Sequence, residues 1–187
     1  MARRVTAGGS DDEVLLDEAR IRACLERLAD KLEQRGTGHQ LTVVVAGGSC
    51  LALMGLRDST VDVDAVNPLD PAVRQAAREV AVEEGLPVTW LNTSALAWKP
   101  QGLEDRDCFP LIDRAGLRVV GVPPSALFLM KLNRASESDQ ADMRRLWPLC
   151  TFKSIEQVVA EFDAAYPAQE PDEYLADFVR QLVQGNQ

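Results

Sequence analysis

The chain has 187 residues, 46% hydrophobic and 26% charged, with a formal net charge of −9. That length and composition suit one globular core, alone or with a small appended lobe. The acidic balance excludes a general nucleic-acid coat but leaves room for a local basic groove or a basic partner protein. Cys24, Cys50, Cys108 and Cys150 are scattered with no Cys-x-x-Cys pair, and His39 is the sole histidine. Neither a zinc site nor a disulfide framework is expected. No apolar run reaches membrane-spanning length. The basic opening Met-Ala-Arg-Arg leads into polar residues rather than an apolar leader core. These features predict a cytoplasmic protein, not associated with membranes, with a disordered start over residues 1–12.

Apolar residues recur at helical spacing across 13–35, and Gly36 and Gly38 stop that helix. Residues 41–46, Leu-Thr-Val-Val-Val-Ala, read as a buried strand. Gly47-Gly48-Ser49 then turns the chain into a short apolar helix over 50–56. Residues 61–66 alternate as a second strand, closed by Asn67-Pro68, and Asp70-Pro71 opens a helix to about residue 84. A short strand is predicted over 87–91, whereas the polar stretch 92–107 shows no clear pattern. Residues 108–112 and 117–122 predict a strand pair turned by 113–116. Pro123-Pro124 starts a helix through Lys131, and a second follows over 136–147 with Ser136 and Asp139 spaced as N-cap and N3 partner. Ser154 and Gln157 predict the same box for a helix to Ala165, and Pro167 precedes a last helix over 173–183. The order is α/β of the α+β kind: a mixed-sheet core over 13–122 with flanking helices, and a helical C-terminal lobe over 123–187 packed on it.

The informative chemistry lies between Val45 and Val66. A strand runs into Gly-Gly-Ser and a helix, and the next strand carries Asp62-Val-Asp64. Alternation puts Asp62 and Asp64 on one face, with Cα atoms about 6.5–7 Å apart, close enough for both carboxylates to converge on one divalent cation. Without a cation they would repel, and burying them would be costly. Mg²⁺ suits oxygen ligands and usually bridges to phosphates. The glycines let backbone approach a phosphate, and Ser49 adds a hydroxyl. Taken singly, a Gly-Gly-Ser turn is only a turn, and an Asp-x-Asp on an edge strand is usually a solvated face. Their succession is what points to phosphate chemistry.

Gly47-Gly48-Ser49, Arg57 and Thr60-x-Asp62-x-Asp64 together resemble the signature of the DNA polymerase β-like nucleotidyltransferases. Leu129-Met-Lys131-Leu followed by Asp139-Gln-Ala-Asp142-Met is similar to a helix pair of their minimal branch, the AbiEii/MenT-type toxins. The likeness runs from about Val43 to the C-terminus. The resemblance implies a nucleotidyltransferase-like mixed sheet. It implies Mg²⁺ on Asp62 and Asp64, with Gly48, Ser49, Arg57 and Thr60 at a nucleoside triphosphate (NTP). Lys131 would neutralise phosphate charge, and Asp142 (or Asp139) would position Lys131 or act as a base. The implied activity is transfer of a nucleoside monophosphate to the 3′ end of tRNA by a toxin, with a cognate antitoxin as partner. Transfer to a small hydroxylated molecule and a non-catalytic nucleotide-binding or antitoxin module are the alternatives. Many relatives carry a third carboxylate on a later strand, and the candidate here is Asp113, in a predicted turn. Trp98-Lys99 is the best candidate for stacking a base, while Trp90 and Trp147 read as core. Lys99, Arg144 and Arg145 are candidates, with Arg57, for a local basic groove. Phosphorylation of Thr60, at the expected mouth of the site, would place negative charge beside both carboxylates and silence the enzyme.

Overall fold

The computed structural model describes residues 14–134 and 136–185; the start expected to be disordered, 1–12, lies outside them. Helix α1, Glu18–Arg35, begins where the Asp17 carboxylate accepts the Arg20 N–H at 2.8 Å, and it ends at Gly36 with φ 63°. It starts later than the apolar periodicity predicts. Leu16, ahead of the cap, is drawn instead into an isolated bridge with Thr60, two backbone hydrogen bonds of 2.7 and 2.9 Å.

Strand β1, Leu41–Ala46, is the centre of a five-stranded mixed sheet. On one side β5 (Leu117–Gly121) runs parallel to β1 and β4 (Phe109–Asp113) antiparallel to β5. On the other, β2 (Val63–Ala65) is antiparallel to β1, and β3 (Leu91–Asn92) runs parallel to β2. The strand pair expected from 108–122 is present, but β2 is shorter than predicted. Upstream, Thr60 is held by Leu16. Downstream, the Asn67 amide takes over β1's free groups: Oδ1 accepts the Val44 N–H at 2.8 Å and Nδ2 donates to the Thr42 carbonyl at 2.9 Å. Residues 87–90 form a turn rather than the predicted strand. The fully buried Trp90 closes it, its indole N–H donating to the Ala77 carbonyl at 2.9 Å.

Helix α2, Gly47–Leu53, starts on the first glycine itself instead of after Ser49. Helix α3, Pro71–Glu84, is capped by Asp70 and lies against α1, tied by Lys31–Glu83 at 2.6 Å and Arg27–Glu84 at 2.7 Å. The C-terminal helices are α4 (Pro124–Arg134), α5 (Glu137–Leu146), α6 (Ile155–Ala165) and α7 (Leu175–Gln184). At the α5 start both arms of the expected Ser136/Asp139 capping box form. At α6 only one does, because the Gln157 side chain accepts from the Lys153 N–H instead of the cap residue. Phe128, Trp147 and Phe152 pack together with ring centroids 5.7–6.2 Å apart. A single apolar cluster runs from Leu16 through the sheet and α4 to Leu182. Among the described residues no helix is long and apolar enough to cross a membrane.

Candidate active site

The sheet register assembles the site. Ala46 pairs with Asp64, and Asp64 pairs with Asn92, so these three residues sit side by side at the end of β1, β2 and β3. Val63 and Ala65 point the other way and are fully buried in the core. Asp62 lies in the bend just ahead of β2 and still reaches the same place: the Asn92 amide donates to its Oδ2 at 2.9 Å, and Asn92 is itself the residue beside Asp64 in the β2–β3 register. The orientation of Asn92 is fixed from behind, since its Oδ1 accepts the Ser94 N–H at 2.7 Å. Asn92 thus gathers the two carboxylates without neutralising them. Among the described residues neither is in an ion pair. Burial, then the Asp62 charge, push Asp64 up to about 6, against the opposing pull of Arg134, Asn92 and Lys131.

Gly47 makes that arrangement possible. It sits at φ 62°, and a Cβ there would come within 2.7 Å of Asp64 Oδ2. Gly48 is equally confined: a Cβ would lie 2.8 Å from the Thr60 hydroxyl and 3.1 Å from Arg57 Nη1. Thr60 is therefore packed beneath the glycine turn, 7% exposed, and not at the mouth of the site. This corrects the idea of phosphorylation there, since the hydroxyl faces the glycine turn and Arg57 rather than solvent. Ser49, expected to offer a hydroxyl to phosphate, is fully buried with that hydroxyl donated to the Ala46 carbonyl at 2.9 Å. What faces the cleft is the glycine backbone. Arg57 bends over the turn, held by the Ser59 carbonyl at 2.9 Å and Asp142 at 3.4 Å.

Lys131 is not the helix-end lysine reaching for solvent that an isolated reading would allow. It is 6% exposed, and its ammonium donates to Asp139 at 3.0 Å and Asp142 at 2.7 Å. Asp139 also accepts two bonds from Arg134, 2.7 and 2.6 Å, and the Ser136 hydroxyl at 2.5 Å. Burial alone would raise its carboxyl, but Arg134, Ser136 and Lys131 hold it well below the usual carboxylate range. Asp142, 3% exposed, faces Lys131, Arg57 and Arg145. Both acids thus serve Lys131, and Asp139 doubles as the cap of α5. Arg145 joins this cluster, whereas Arg144 turns away to the Leu182 carbonyl.

From these elements Gly47, Asp64, Lys131 and Arg134 come together at one cleft that opens to solvent. These four form its polar side; Ala95, Trp98, Leu127 and Met130 form its apolar side. Trp98 stands on a 3₁₀ turn, Ser94–Trp98, strapped to α6 by the Tyr166 hydroxyl donating to the Trp98 carbonyl at 2.8 Å. Asn92 and Arg134 are not among the candidates that the sequence offers. Asn92 lay in the unpatterned stretch, and only strand pairing brings it to Asp64. Arg134 had a legible signal, its place one helical turn after Lys131. Asp113 is at the far end of the sheet. It pairs with Arg118, which pairs with Thr42 near the start of β1, about 13 Å of strand from Ala46, and bonds Gln40 at 2.7 Å. At the site end β5 carries Val120 and Gly121, not a carboxylate.

The donor set suits a hard divalent cation. Asp62 and Asp64 could supply charged oxygens, with no thiolate or imidazole beside them. Among the described residues no third acidic, histidine or cysteine ligand joins them. Remaining positions would fall to phosphate and water, as is usual for Mg²⁺. A mixed sheet whose central strand runs into a glycine turn, with one aspartate on the next strand and another just ahead of it and a helical C-terminal region, is a nucleotidyltransferase-like fold. Residues 23–183 match the family DUF6036, described as nucleotidyltransferases of unknown function, and the chain belongs to it. No curated protein and no solved structure gives a match.

Proposed function

We propose that this chain transfers a nucleoside monophosphate from an NTP to a hydroxyl acceptor, with Mg²⁺ held by Asp62 and Asp64. The observation that carries the reading is the carboxylate pair: set side by side with Asn92, half-buried and outside any ion pair among the described residues, with Asp64 on the wall of a cleft that also holds Lys131 and Arg134. When bound, the Mg²⁺ would supply positive charge to the phosphates and to the attacking oxygen. The chain's own residues do the rest. Gly47 and Gly48 let the triphosphate approach the main chain, with Thr60 and Arg57 supporting the turn from below and above. Lys131 and Arg134 add positive potential on the same polar side of the cleft. Trp98, with Leu127 and Met130, offers an apolar seat for the base. The acceptor oxygen forms a bond to the α-phosphorus while the α–β bridging bond breaks. Pyrophosphate leaves with that electron pair, and the hydroxyl proton passes to water.

The finer reading, a toxin of the AbiEii/MenT kind acting on the 3′ end of tRNA and restrained by an antitoxin, is supported by the Lys131-Leu132 and Asp139-x-x-Asp142 pattern. Incubation with Mg²⁺, each labelled triphosphate, and either total tRNA or small hydroxylated acceptors tests both levels. Pyrophosphate release with RNA extended by one or a few nucleotides is expected. Labelling of small molecules alone would discard the tRNA acceptor, and no pyrophosphate release with any acceptor would discard nucleotidyl transfer.

A further inference from the structure

Resting on the nucleotidyl-transfer reading, we propose that Arg134 is the cation that touches the phosphates of the bound nucleotide, and that Lys131 is a positioning residue acting through Asp139 and Asp142. The two cations are one turn apart on α4 and line the same cleft, but their commitments differ. Lys131 is almost fully buried, and two of its three N–H groups are taken by carboxylates. Arg134 has half of its side chain in solvent (51%) and forms a two-pronged pair with Asp139 through Nε and Nη2. Its Nη1 has no hydrogen-bond partner among the described residues.

That fork fixes the guanidinium plane before any ligand arrives, so little reorganisation is needed when an anion binds. The local charge balance favours the same role. Four cations, Arg57, Lys131, Arg134 and Arg145, surround two carboxylates, Asp139 and Asp142. Their surplus lies on the more exposed arginines, and of these Arg134 lines the cleft beside Asp64. An anion with several charged oxygens, such as a triphosphate, matches that surplus; the sugar and base do not.

The test uses the full chain with Mg²⁺, measuring binding of inorganic triphosphate and of a non-hydrolysable NTP by calorimetry, with melting curves alongside. Arg134→Ala should weaken both ligands about 10- to 100-fold, the value of a lost charge-assisted bond. Arg134→Lys keeps the charge but loses the fork, so it should recover only part of the affinity. Lys131→Met should lower the melting temperature more than Arg134→Ala does, and weaken inorganic triphosphate less. Wild-type triphosphate affinity in both Arg134 variants, in a chain that still releases pyrophosphate, would overturn the assignment of Arg134 and leave nucleotidyl transfer standing. A wild-type chain that binds neither triphosphate nor NTP would overturn both.

Discussion

Two pairs of acids lie around the cleft, Asp64 on its wall and Asp139 and Asp142 behind Lys131, and chain folding treats the pairs in opposite ways. Asp139 and Asp142 are the more deeply buried, yet each is surrounded by cations from its own chain. Asp62 and Asp64 are half-buried beside the neutral Asn92, and neither is in an ion pair among the described residues. Breaking a buried ion pair costs several kcal/mol, so the first pair is bound up with stability. Holding two like charges together outside any ion pair works against stability, which is the cost that the proposed Mg²⁺ would offset. The difference separates acids paired within the fold from acids that the proposed function assigns to a ligand.

The largest expected effect breaks the second pair. Asp62→Asn or Asp64→Asn should reduce pyrophosphate release about a thousandfold or more, while the metal-free variants melt no lower than the parent. Next comes the first pair. Asp139→Ala leaves Lys131 and Arg134 short of a partner and uncaps α5. It should cost about 3–5 kcal/mol, read as a shifted denaturant midpoint. Trp98→Ala should raise the KM for NTP about tenfold, consistent with roughly 1–3 kcal/mol for a stacked base, with melting little changed.

A pH series sharpens the contrast further. Asp64 is raised to about 6, above the roughly 3.9 of an unfolded aspartate. The folded state therefore binds its proton more tightly. That contribution to stability is complete below the unfolded value and is lost as pH rises through 6. In metal-free protein the stability of wild type relative to Asp64→Asn should fall between about pH 4 and 6 and then level off. A relative stability that does not change over this range would remove the electrostatic argument for the pair. The smallest effect belongs to the far end of the sheet. There Arg114 bonds Glu26, Asp30 and Glu33, each at 2.9 Å. Arg114→Ala should leave transfer unchanged and lower the melting temperature modestly, less so at high salt.

Local pattern was enough for much of this. The strand before Gly47, the helices and the Ser136/Asp139 cap follow from periodicity and capping chemistry, and Asp62 and Asp64 from their spacing after the glycine turn. What local pattern could not carry was anything set by partners distant in the chain. Asn92 reaches Asp64 only because β3 pairs with β2. The shortened β2 reflects Thr60 pairing with Leu16, and a buried Thr60 follows from that pairing. Ser49 reads as a free hydroxyl in sequence, but the helix begins two residues before it, which turns that hydroxyl back onto Ala46. Lys131 looks amphipathic alone. Its burial depends on two carboxylates brought in by the following helix.

The most direct test of the central claim is a Mg²⁺ titration by calorimetry, in the presence of a non-hydrolysable NTP, comparing wild type with Asp62→Asn and Asp64→Asn near pH 7.5. Wild type should show saturable Mg²⁺-dependent binding that either substitution weakens at least tenfold, in proteins whose melting curves show them folded. Equal Mg²⁺ affinity in all three proteins would contradict the assignment of Asp62 and Asp64 as the ligands on which nucleotidyl transfer depends.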